Sequence, residues 1–232
     1  MSWDKITEKQ NINSKDIDKK SVQEILQIIN NEDKTISLAV ESSLFEIKCF
    51  TEALIDVVRK KGRLFYLGSG TSGRLGVLDA SECPPTFGVE SDMIQGIIAG
   101  GNSALIKSVE GAEDNREDGI KTISKYGITS NDIVLGITAS GSTPFVLGGL
   151  EYSKKIGAIT GLLSCNKVKP FKFIDFFIPI LVGPEVIAGS TRMKAGTATK
   201  IVLNMITTTL MIQINKTYDN LMIDLNVSNN KL

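Results

Sequence analysis

Leu64-Phe-Tyr-Leu-Gly-Ser-Gly-Thr-Ser-Gly-Arg74 decides the fold. Leu64–Leu67 reads as a short strand buried on both faces, and the Gly/Ser/Thr turn after it opens a helix. Downstream the same order recurs. Met93–Ala99 is a second strand, and Gly100-Gly101 leads from it into helical patterns near Ala104–Val109 and Asn115–Lys125. Ile133–Ile137 is a third strand, followed by another Gly/Ser/Thr turn and a helix that begins at Pro144 with Thr143 as its N-cap. Ala158–Leu163 and Phe176–Ile180 complete the strands, and a long last helix covers Ala195–Ile214. Such alternation predicts an α/β fold with a mostly parallel five-stranded sheet covered on both faces.

Upstream, residues 1–20 read as an irregular arm, and a helix follows near Val22–Ile29. Between Asp33 and Lys60 an apolar stripe (Val40, Leu44, Ile47, Leu54, Val58) predicts one long amphipathic helix ended by Gly62. The expected organisation is therefore an N-terminal arm and helices over 1–60, packed on a core domain over 61–232. The stripe could instead pack on a second copy of the chain.

Composition excludes several chemistries. The 232 residues hold 26 basic and 26 acidic side chains, so nothing favours nucleic acid or an anionic membrane as a partner. There is no histidine, which removes Ser-His-Asp and Cys-His catalysis and histidine metal sites. Three distant cysteines without a CxxC pair support neither a disulfide framework nor a zinc knuckle. With no apolar leader and no apolar stretch long enough to span a bilayer, the expectation is a soluble cytoplasmic protein with no metal. Proton transfer near neutral pH must then fall to carboxylates, lysine, tyrosine or cysteine.

The first turn satisfies GxGxxG literally. A dinucleotide site also wants an acid at the end of the second strand, and Ile97-Ile-Ala-Gly-Gly-Asn102 has none. No Gly-Lys-Ser/Thr follows, so it is not a P-loop. What Ser69, Gly70, Thr71 and Ser72 offer is hydroxyls and backbone N–H groups at a helix N-terminus, a seat for an anion. Thr138-Ala-Ser-Gly-Ser-Thr-Pro144 repeats the device, with Ser140, Ser142 and Thr143. Two such turns at the C-terminal ends of parallel strands favour a sugar phosphate over simple helix capping. Two acids stand out. Glu82 precedes Pro84-Pro85, which predicts a helix end and a stiff corner there, and Glu113 lies in Glu110-Gly-Ala-Glu-Asp-Asn115. Each could be one half of an acid/base pair, or only a solvated or capping acid. Lys194 could reach substrate, or be an exposed cation at a helix start.

The run Tyr66–Gly88, ending Asp79-Ala-Ser-Glu-Cys-Pro-Pro-Thr-Phe-Gly88, resembles the signature of the N-acetylmuramic acid 6-phosphate etherases, which carry a SIS (sugar isomerase) domain and are related to glucokinase regulatory protein. Ile98-Ala-Gly-Gly101, Val109–Asn115, Gly183–Thr197, Leu203-Asn-Met205, Asn220–Asp224 and the Ser21–Asp33 region are similar too, so nearly the whole chain takes part. The resemblance implies a SIS-type three-layer sandwich and a lyase that needs no cofactor. That lyase cleaves the D-lactyl ether at C3 to give N-acetylglucosamine 6-phosphate and D-lactate. It further implies Glu113 as the base at C2, Glu82 as proton donor to the departing lactate, and a homodimer. The family continues past the position of Leu232 in a small helical subdomain, which is expected to be absent here. Two rival readings share the domain: a non-catalytic phosphosugar-binding regulator and a sugar phosphate isomerase.

Overall fold

The computed structural model describes residues 5–223. β1 (Leu64–Gly68), β2 (Ile94–Ile98), β3 (Ile133–Ile137), β4 (Ile159–Ser164) and β5 (Phe176–Pro179) form one parallel sheet in the order β2-β1-β3-β4-β5. Each strand lies within about two residues of its expected span. Every residue of β1 and β3 is buried, as a strand covered on both faces requires.

Side-chain alternation divides the core in two. Leu64, Tyr66, Leu135, Ile137 and Leu163 point to one face, beneath α2 (Ile36–Glu41), α3 (Leu44–Arg59), α4 (Gly70–Phe87) and α8 (Lys194–Gln213). Phe65, Leu67, Val134 and Leu162 point to the other, beneath α6 (Arg116–Ser124) and α7 (Pro144–Ile156). Fully buried Phe50 of α3 meets Phe176 of β5 edge to face at 6.0 Å between ring centroids. Truncating such an anchor to alanine costs about 3–5 kcal/mol.

The long helix expected over Asp33–Lys60 is broken. α1 (Val22–Asp33) opens with a capping box between Ser21 and Glu24, and the chain turns again before α2 and before α3. Ser43, between α2 and α3, turns its hydroxyl to the carbonyl of Pro179 at the end of β5. The stripe is real at Val40, Ile47 and Leu54, which are buried, whereas Leu44 is exposed. A periodic stripe constrains which face packs, and not whether the backbone is continuous. α3 closes before Gly62, with Lys61 in the left-handed conformation.

The double proline does not stop α4 either. The helix runs through Pro84 and Pro85 to Phe87 and ends on left-handed Gly88, whose N–H bonds the carbonyl of Pro84 at 2.9 Å. Proline removes the donors that would serve the carbonyls of Ala80 and Ser81, and this loss falls in the last turns, where the helix is already ending. α5 (Ser103–Ile106) is a single turn, and a two-residue hairpin, β6 (Thr217–Tyr218) with β7 (Leu221–Met222), follows α8. The similarity at Asn220–Asp224 extends to Asp224, which lies outside the described residues. Among the described residues no helix is long and apolar enough to cross a membrane.

Candidate active site

The strand order reverses between β1 and β3, and open parallel sheets bind ligands in the crevice at such a point. Both hydroxyl-rich turns emerge there. Gly68 and Gly73 pack so closely that a Cβ on Gly68 would lie 2.7 Å from the Gly73 nitrogen, so this tight strand-to-helix turn requires glycine. Ser69, the N-cap residue of α4, makes no side-chain cap. The first backbone bond of α4 is Gly73 N–H to the carbonyl of Ser69, 3.0 Å, which leaves the N–H groups of Gly70, Thr71 and Ser72 at the cleft.

The second turn works differently. Thr138 Oγ1 lies 2.7 Å from Thr143 Oγ1 and 3.2 Å from Ser140 Oγ, and the Ser142 N–H and hydroxyl both donate to Ser140 Oγ at 3.2 Å. Pro144 has no N–H, and the Phe145 N–H is taken by the carbonyl of Glu113 at 3.0 Å. The Ser140–Thr143 turn therefore presents chiefly hydroxyls. That Phe145–Glu113 bond also brings the acidic loop to the start of α7, and Ser69 Oγ donates to Glu113 Oε2 at 3.0 Å. Glu113 thus stands over the crevice between the two turns. The cleft has a volume of about 590 Å³, and Ser69, Gly70, Thr71, Ser72, Glu113, Ser140, Ser142 and Thr143 all line it.

Two expected site residues lie elsewhere. Glu82 is exposed near the far end of α4, twelve residues beyond Gly70, or about 18 Å at 1.5 Å rise per residue. It does not line the cleft of its own chain. Lys194 is neither an exposed cation nor on the cleft wall. Its side chain is 4% exposed, and its Nζ donates to Glu32 Oε2 at 2.6 Å. Asn11 and Asn13 donate to the same carboxylate at 2.7 and 2.8 Å. Burial pushes the Glu32 pKa up, but the bonds from Lys194, Asn13 and Asn11 outweigh it and hold the group below the usual carboxylate value.

The structure adds wall residues beyond the candidate site residues. Lys5 and Glu8 of the arm, with Gly189 and Thr191 of the 183–193 loop, close one side of the cleft. Buried Asn166 donates to Thr7 Oγ1 at 2.9 Å and to the carbonyl of Ala139 at 2.8 Å, and Gly189 N–H donates to the carbonyl of Thr7 at 3.0 Å. Asn11, Asn13 and Ser14, by their turn-forming type, could have hinted at the arm's order. Thiol chemistry has no support, since burial, with Asp79 beside it, pushes Cys83 up to about 12, and burial with Glu185 nearby does the same for Cys165.

Sequence comparison is decisive. A Geobacillus sp. (strain WCH70) protein named N-acetylmuramic acid 6-phosphate etherase is 51% identical over 97% of this chain and 77% of its own length. One from Clostridium botulinum (strain Eklund 17B / Type B) with the same name is 52% identical over 97% of this chain and 75% of its own. The chain belongs to the N-acetylmuramic acid 6-phosphate etherase family. The glucokinase regulatory protein N-terminal SIS domain family also matches, over residues 46–154. The etherase fold seen here is shared with phosphoheptose isomerase of Neisseria gonorrhoeae (TM-score 0.59, 13% identity, 82% of this chain and 98% of that one). It is shared as well with a protein of Escherichia coli CFT073 (TM-score 0.60, 16% identity, 85% and 95%). The SIS-type α/β architecture is therefore established.

Proposed function

We propose that this protein is a carbon–oxygen lyase. It cleaves the D-lactyl ether of N-acetylmuramic acid 6-phosphate to give N-acetylglucosamine 6-phosphate and D-lactate, a step of amino-sugar catabolism and peptidoglycan recycling. The observation that carries this reading is the Glu113 carboxylate, bonded to Ser69 and poised over an anion seat in a chain about half identical to proteins of that name. The phosphate sits between the turns, held by the N–H groups of residues 70–72 and by the hydroxyls of Ser140, Ser142 and Thr143. Among the described residues, Lys5 is the one cationic side chain on that wall, so dipoles and hydroxyls hold the anion more than ion pairing does.

In the ring-opened sugar the C1 aldehyde acidifies the C2 proton, and Glu113 abstracts it. The C3–O bond breaks with a proton delivered to the lactate oxygen, and water then adds at C3 of the unsaturated intermediate while C2 is reprotonated. One ionised and one protonated carboxylate suffice, each worth ~10²–10⁴ in rate. The proton donor to the lactate oxygen is Glu82. Since α4 carries Glu82 about 18 Å from the anion seat of its own chain, the donor comes from a second copy in a homodimer. The cell compartment is the cytoplasm, where Cys49, Cys83 and Cys165 stay reduced thiols. The test is D-lactate release from N-acetylmuramic acid 6-phosphate by purified protein without added cofactor. Sugar phosphate binding with no lactate released would favour a regulator instead.

A further inference from the structure

Ser69, Gly70 and Glu113 wall two clefts. A second hollow of about 290 Å³ shares these three residues with the anion seat and is lined in addition by Arg74, Ser108 and Gly111. Among the described residues Arg74 is its only cationic side chain, one helical turn below Gly70 on the same face of α4. Its guanidinium donates to the carbonyls of Leu105 and Lys107 at 3.3 and 3.4 Å, two long bonds that use two of its five donors. The arginine is half-buried and held in place, with donor capacity left over. An exposed acid, Glu110, stands on the rim.

The geometry points to a carboxylate subsite: we propose that this second hollow receives the lactyl carboxylate of the substrate, with Arg74 as its specificity-determining partner. The inference rests on the lyase reading above. The substrate carries two anions, a phosphate at C6 and a carboxylate on the ether substituent at C3. Proton abstraction puts C2 against Glu113, so the adjoining C3 substituent must leave along a wall of Glu113. Glu113 lines both the phosphate seat and the hollow that holds the guanidinium. Planar guanidinium recognises carboxylate in two-point fashion, which a lysine does not reproduce. A sugar phosphate lacking the lactyl group would fill only the first cleft. The inference thus explains how one chain tells the muramyl substrate from its own product.

Arg74→Gln and Arg74→Lys are assayed against N-acetylmuramic acid 6-phosphate and against the analogue whose lactyl carboxylate is a carboxamide. With the acid, R74Q should lose about 10- to 100-fold in kcat/KM, the usual worth of a hydrogen bond to a charged group. With the amide it should lose little, and R74K should fall between. Equal losses on both substrates would show that Arg74 merely holds the 105–107 segment, and would overturn the proposal. Binding separates the two readings. In a Glu113→Gln background the muramyl sugar should bind more tightly than N-acetylglucosamine 6-phosphate, and R74Q should erase that ratio while product binding persists as the check on folding. A ratio that R74Q leaves unchanged overturns the subsite. A parent protein that binds both sugars yet never releases lactate removes the lyase reading, and the affinity ratio still decides the subsite.

Discussion

Two substitutions, Glu82→Gln and Glu113→Gln, test whether the acid and the base come from different subunits. Both side chains are exposed, and Glu113 makes one side-chain hydrogen bond, to Ser69, so neither change disturbs the core. As homodimers, each variant should fall by about 10²–10⁴ in kcat, the usual value of a positioned acid or base. A heterodimer of the two, purified through a different tag on each chain, contains one site with both carboxylates intact and one with both replaced. It should therefore recover about half of the wild-type turnover, given two equivalent sites in a symmetric dimer. The reciprocal heterodimer, wild type paired with the double variant, has one carboxylate missing from each site and should stay at the floor. If α4 bent to bring Glu82 to its own Ser69 turn, the two results would exchange: floor for the first pairing and half for the second. The rise per residue sets the expectation, because twelve residues of continuous helix cannot be shortened by side-chain rotation. The face that carries Glu82 also carries half-exposed Leu78 one turn earlier, an apolar surface suited to a second copy. Lactate measured by a coupled dehydrogenase is sufficient, and recovery in the wrong pairing would refute the shared site.

Two further predictions concern stability. Lys194→Met should cost about 3–5 kcal/mol in urea unfolding, because it strands the buried Glu32 carboxylate, while adding Glu32→Gln should restore part of the loss; a double variant as unstable as the single would deny the pairing. For Asp132, burial pushes the pKa up, but the Arg63 guanidinium at 2.9 Å and N–H groups from Thr129 and Arg63 more than offset this, so the folded value lies below the ordinary one. A depressed folded pKa means that the stabilisation is complete above the unfolded value of about 3.9 and is lost as pH falls through the folded value. Asp132→Asn should thus flatten the acid limb of a stability–pH curve below about pH 4, and an unchanged limb would show that this pair does not titrate with unfolding.

The five strands and both hydroxyl-rich turns were legible because their causes are local. A run such as Ile133–Ile137 is buried on both faces, and the Ser/Thr-rich turn that follows β1 lines the cleft. The break before α3 was not legible, because Val40, Ile47 and Leu54 keep their apolar spacing across the interruption. The end of α4 misled for a related reason. Proline is costly inside a helix, but at Pro84 and Pro85 one turn remains, and Gly88 sets the end. The arm was illegible for the opposite reason. Its order rests on Asn166 and on the 183–193 loop, more than 150 residues away in sequence.

That distance explains the misreading of Lys194. In Gly183–Thr197 the polar residues look like a substrate-facing cluster, yet Glu185 and Lys194 face inward while Arg192 is exposed. Glu185, fully buried, accepts the N–H groups of Lys194 and Ala195 at 2.9 and 3.0 Å and so caps α8 in place of a hydroxyl. Lys194 then spends its charge on Glu32 at the end of α1, which Asn11 and Asn13 tie to the arm. With both ends of the loop fixed, Gly189 can clamp Thr7 and stand with Thr191 on the cleft wall. On the cleft wall this segment presents Gly189 and Thr191, while Glu185 and Lys194 hold the start of α8 and the arm in place.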